Sequence, residues 1–168
     1  MRNTKLSTLL SLLFILATSQ VFGQSLSEEL KILEPLVNKT WSGELKTPDG
    51  KRTLSVTRTF TPIIGGEFVK YQSSTPEVNS YSEGYFYWDR SEKKIAVLIL
   101  SKKGVYQKGY VSVAEGIITI EGEISFPERS FNYRNTLQFR EDSKLMDRWF
   151  QNAFGSWQPG HVIELTAE

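Results

Sequence analysis

From Trp41 to Ala167 apolar and polar residues alternate in short runs separated by turn-forming residues, the period of half-buried strands rather than helices. Strands are expected over Trp41–Lys46, Arg52–Thr61, Glu67–Ser74, Tyr81–Asp89 and Lys94–Ser101. Five more are expected over Val105–Val113, Ile117–Ile124, Phe131–Phe139, Leu145–Asn152 and His161–Ala167. The breaks between them carry turn chemistry: Asp49-Gly50, Gly65-Gly66, Lys103-Gly104, Glu115-Gly116, a longer turn through Pro127, and a loop from Gly155 to Gly160. Only the stretch after residue 24 reads differently. Leu26, Leu30, Leu33 and Val37 recur at helical intervals, Ser25 and Glu28 have capping-box spacing, and Pro35 predicts a break.

About ten strands with no helical crossover between them must pair antiparallel. An open sheet would leave two bare edges, and closure into an up-and-down barrel removes both. The expected fold is therefore all-β: a ten-stranded antiparallel barrel with a short N-terminal helix, wide enough to hold a small ligand. A two-sheet sandwich would show longer crossing connections, and none exceeds the stretch from Ser73 to Ser80.

The N-terminus is a different kind of segment. Arg2 and Lys5 precede the apolar run Leu9–Ala17, and Val21-Phe22-Gly23 supplies a small-residue junction, so residues 1–23 are expected to be a signal peptide. Residues 24–168 would then form the domain, exported to the periplasm or the exterior. Residues 1–23 hold two of the chain's 20 basic residues and none of its 19 acidic ones, which leaves the domain one charge negative. That balance offers nucleic acid no footprint, and no later run is apolar enough for a transmembrane anchor. With no Cys and one His, zinc would lack its usual ligands, and no disulfide is expected. There is no G-x-S-x-G elbow and no phosphate-binding loop. A Ser156–His161 pairing, the paired Glu121 and Glu123, and the Asn38-Lys39-Thr40 sequon all match patterns common by chance. No motif marks an enzyme.

Lys39-Thr40-Trp41-Ser42-Gly43-Glu44, following a short helix, resembles the W-x-G motif of lipocalin-like (calycin) proteins. Arg58 before Ile64–Phe68, then Glu83-Gly84-Tyr85, Trp88-Asp89, Tyr133-Arg134 and Asp147-Arg148-Trp149, are similar to features of secreted bacterial lipocalin-like domains. The resemblance implies a barrel with a binding cavity. A more distant similarity is to the nitrobindins, ten-stranded haem barrels with a G-x-W-x-G-x-G start and a haem-ligating histidine opening the last strand. Here Lys39 and Leu45 replace two of the glycines, while Pro159-Gly160-His161 places a histidine at the matching point.

His161, the single histidine, shares a strand face with Ile163 and Leu165. The nitrobindin resemblance would make it a haem-iron ligand; the residues alone favour a barrel-mouth histidine bonded to a backbone carbonyl near Gly160. Arg58 shares a face with Val56 and Phe60, so its charge needs a partner. Two partners are open, a ligand carboxylate or an internal acid such as Glu83 or Asp147; failing either, the side chain would snorkel out of the barrel. Tyr85, Tyr87, Tyr133 and Trp149 are candidate lumen residues, Trp157 a candidate guard of the cavity mouth, and Trp41 a structural plug. Three functions follow in order: a barrel holding a small apolar or amphipathic molecule without a cofactor, a haem protein acting on reactive nitrogen species through His161, and a filled barrel acting through its surface.

Overall fold

The computed structural model describes residues 25–168 apart from positions 48, 142 and 154; the expected signal peptide, residues 1–23, lies outside them. The alternation closes into a barrel of ten antiparallel strands. In chain order they are β1 (Thr40–Lys46), β2 (Thr53–Ile63), β3 (Phe68–Thr75), β4 (Ser80–Asp89) and β5 (Lys94–Ser101). Then come β6 (Tyr106–Ala114), β7 (Ile117–Phe126), β8 (Arg129–Glu141), β9 (Lys144–Ala153) and β10 (Ser156–Ala167). Each strand pairs with its neighbours in sequence, and β10 returns to β1 through Trp41↔Ala167, Ser42↔Thr166 and Gly43↔Leu165. Gly43 has to be small, because a Cβ there would overlap the Glu164 carbonyl of β10.

Two connections differ from the expectation. Phe126 pairs with Arg129, so the turn through Pro127 is short and both strands run further than expected. The Gly155–Gly160 segment is not a loop: Trp157, Gln158 and Pro159 pair with Asn152, Gln151 and Phe150, extending β10 to Ser156. Pro159 has no N–H for a continuous ladder, and a register shift between Pro159 and Val162 absorbs it.

One end of the barrel is sealed. The N-terminal segment forms a 3₁₀ helix over Glu28–Leu36, in which three residues make a turn, so Leu30, Leu33 and Leu36 stack along one side. All three are buried, with Leu26 and Val37 beside them. The helix passes through Pro35 instead of breaking, and its N-cap is Ser27 with no side-chain bond, so the expected Ser25–Glu28 capping box does not form. Trp41 lies beneath the helix, fully buried; its Nε1–H donates to the Leu36 carbonyl at 2.9 Å, and Phe139 meets its ring edge-on. The Ser27 amide donates to the Gly66 carbonyl at 3.1 Å, tying the helix to the β2–β3 turn.

Gly66 has φ +86°, and a Cβ at that position would collide with the Ser25 carbonyl. Gly66→Ala is therefore expected to lose about 1–3 kcal/mol through left-handed strain alone, read as a lower unfolding midpoint with faster exchange of the Ser27 amide. A variant that melts with the wild type would show that this turn does not hold the sealed end.

Candidate functional site

Away from the helix the lumen is not filled. A cavity of about 290 Å³ is lined by Arg58, Phe60, Tyr71, Ser82, Phe86, Ile99, Gln107, Ile120, Asn135, Leu137, Trp149 and His161. Period-two alternation aims these side chains inward from β2, β3, β4, β5, β6, β7, β8, β9 and β10. Phe60, Tyr71 and Phe86 form an aromatic floor with ring centroids 5.2–6.4 Å apart.

Against this floor stands a buried charge cluster. Asp147 on β9 is 0% exposed and Arg58 on β2 is 9% exposed. The Arg58 guanidinium, through Nη1, forms an ion pair with Asp147 Oδ2. The Asn135 side-chain amide donates to Asp147 Oδ1 and, at 2.9 Å, to the Arg148 carbonyl. His161 Nε2 lies 3.4 Å from Asp147 Oδ2. Burial pushes the Asp147 carboxyl upward more than any single neighbour lowers it, but the Arg58 charge, His161 and Asn135 together outweigh it and hold it down at about 2. The same attraction keeps Arg58 protonated against its own burial. The Arg58 Nε–H has no acceptor among the described protein atoms.

Of the two partners open for Arg58, the structure has the internal acid, and of the two acids it is Asp147. Glu83 lies on the outer face, with Lys70 at 3.1 Å and Tyr81 donating at 2.8 Å. Trp149 lines the cavity and stacks on His161, ring centroids 6.0 Å apart and planes 10° from parallel, while covering the Gly160 backbone. His161 is not bonded to a backbone carbonyl; its Nε2 has no hydrogen-bond partner among the described protein atoms, and the nearest acid is the Asp147 carboxylate. Tyr133 points inward, fully buried, and its hydroxyl has no protein partner. Burial, with Tyr71 nearby, raises that phenol well above the usual range.

Three lumen candidates lie elsewhere. Tyr85 and Tyr87 are on the outer wall: Tyr85 pairs with Lys70 and donates to Glu83 at 3.3 Å, and Tyr87 packs beside Phe68. Gly84 and Phe86 take the inward positions of β4, so the tyrosines between them must face out. Trp157 guards no mouth. It is 38% exposed on the outside of β10, with the Arg134 guanidinium 4.5 Å above its ring.

Further residues complete the site: Asp147, named above as a possible partner of Arg58, and four lining residues not singled out, Asn135, Tyr71, Ser82 and Gln107. Asn135 and Asp147 each interrupt an inward apolar row, Tyr133–Leu137 and Leu145–Trp149, which is a readable signal. Tyr71, Ser82 and Gln107 carry no such mark, because their strands mix polar and apolar residues on both faces.

Comparison by sequence matches no family model and no curated protein. Among solved structures, the crystal structure of Rv2717c from M. tuberculosis superposes with TM-score 0.60 at 16% identity, covering 86% of this chain and 99% of that one. The likeness is one of fold.

The donor set bears on haem. An axial histidine needs its ligating nitrogen open toward the iron, with the other nitrogen held by a second group. Here His161 Nε2 is buried without a hydrogen-bond partner among the described protein atoms, lies 3.4 Å from Asp147 Oδ2, and has Trp149 stacked on a ring face. An iron at Nε2 would have to displace the contact with Asp147. Among the described residues no cluster of His, Asp and Glu is arranged to hold a metal ion.

Because the folded Asp147 carboxyl titrates near 2 and the unfolded one near 3.9, the ion pair's stabilisation is complete above about pH 4 and is lost as pH falls toward about 2. Asp147→Asn should flatten that acid slope in pH-dependent denaturation. Asp147→Ala, which leaves Arg58 buried and unmatched, should lose about 3–5 kcal/mol, whereas Glu83→Ala on the outer wall should lose no more than about 1 kcal/mol.

Proposed function

We propose that this chain is an exported binding protein that holds a small apolar or amphipathic molecule in its barrel lumen. The observation carrying the proposal is the cavity of about 290 Å³ at the end away from the helix, with an aromatic floor and a few convergent polar groups. Its size is at the lower edge of ligand pockets, which run from about 300 to 1,000 Å³, and its mix of apolar wall and placed polar groups is typical of them. The fold shared with Rv2717c is compatible with a calycin-like ligand carrier. Export rests on the basic, apolar and small-residue pattern of residues 1–23. The filled-barrel alternative is disfavoured by the same cavity, and the haem alternative ranks second because the Asp147 carboxylate stands 3.4 Å from the nitrogen an iron would take.

Two measurements test the reading. Native mass spectrometry of the protein purified from the cell envelope should detect a small-molecule adduct, and N-phenyl-1-naphthylamine should bind saturably with blue-shifted emission. Both signals should vanish in Ile120→Trp, which fills the cavity from β7. No adduct together with no fluorophore binding would overturn the proposal. For haem, a hemin titration should leave the free-hemin spectrum unchanged; a saturable, red-shifted Soret band lost in His161→Ala would reinstate the iron-ligand role.

A further inference from the structure

Resting on the cavity reading above, we propose that the lumen selects an uncharged ligand carrying a carbonyl-type acceptor, and rejects the carboxylate of the same shape. The argument begins with charge. Arg58 is the permanent cation on the cavity wall, and its charge is already matched by Asp147 in direct contact. A second anion beside Arg58 would share the guanidinium with Asp147 and face that buried carboxylate without screening by water. A ligand cation would meet Arg58 instead. The remaining polar groups of the wall are the uncharged Tyr71, Ser82, Gln107 and Asn135, and His161, which faces the same Asp147 carboxylate at 3.4 Å.

Hydrogen bonding then narrows the class. Arg58 reaches Asp147 through Nη1, while its Nε–H has no acceptor among the described protein atoms. A buried N–H favours an acceptor strongly, and a carbonyl, ester or amide oxygen supplies one without bringing a charge. The other end of such a molecule meets Phe60, Phe86, Ile120 and Leu137. The ion pair therefore sets specificity as well as stability: Asp147 converts what would be an anion site into a site for a neutral dipole.

The test is a calorimetric comparison on the mature protein of phenylacetamide, phenylacetate and ethylbenzene, which share a ring and differ in acceptor and charge, at a pH where the acid is ionised. Phenylacetamide should bind at least about tenfold tighter than either of the others, a difference of about 1.4 kcal/mol. Asp147→Asn, with Arg58 unmatched, should reverse the order and favour phenylacetate. Should that variant fail to fold, the wild-type comparison decides alone. Phenylacetate binding as tightly as the amide would overturn the charge argument, and ethylbenzene doing so would overturn the acceptor contact. If none of the three binds while N-phenyl-1-naphthylamine still enters, the specificity proposal fails and the cavity reading stands. If the fluorophore also stays out, the cavity reading itself fails.

Discussion

The ion pair between Arg58 and Asp147 is the interaction on which the remainder of the barrel turns. Its partners belong to β2 and β9, and the strands lying between them are β1 and β10, the first and last of the sheet. The pair thus spans the closing seam from the inside. Both charges are buried, so neither is tolerable without the other. A barrel that failed to bring β2 and β9 to their places would strand a guanidinium and a carboxylate in an apolar lumen.

The two ends of the barrel divide the work. At one end Leu30, Leu33, Leu36 and Trp41 make a dry seal, with the indole N–H satisfied by the helix's own last carbonyl. Toward the other end the inward rows admit Asn135, Asp147, Ser82 and Gln107, and packing gives way to a cavity. Polar groups on inward positions keep that space from collapsing into a uniform core, since each must keep its hydrogen-bond partners in reach.

The strands and their antiparallel order were readable because turn residues punctuate a strict alternation. Arg58 and Asp147 were readable as anomalies, each a charge inside an apolar row. Which way a row faces was less legible. Tyr85-Phe86-Tyr87-Trp88 is aromatic on both faces, and Ile95–Leu100 is apolar on both, so alternation alone leaves the assignment of β4 open; the inward position of Gly84 resolves it in the fold. The environment of Trp157 was hidden for another reason. Gly155, Pro159 and Gly160 read as loop, yet the adjoining β9 supplies enough ladder to carry a strand past them. The approach of His161 to Asp147 depends on the register shift after Pro159, a geometry that spacing does not encode.

The seam also dictates an order of events. β1 and β10, the first and last strands, meet through Trp41, Ser42 and Gly43 opposite Ala167, Thr166 and Leu165, and the Glu168 amide donates to the Thr40 carbonyl beside them. Contacts of such sequence separation form late, because the whole intervening loop must be ordered first. A nascent chain short of Leu165 can assemble hairpins but cannot complete the ring. The ring therefore closes only once β10 has been made, and until then the strands can pair only as an open sheet.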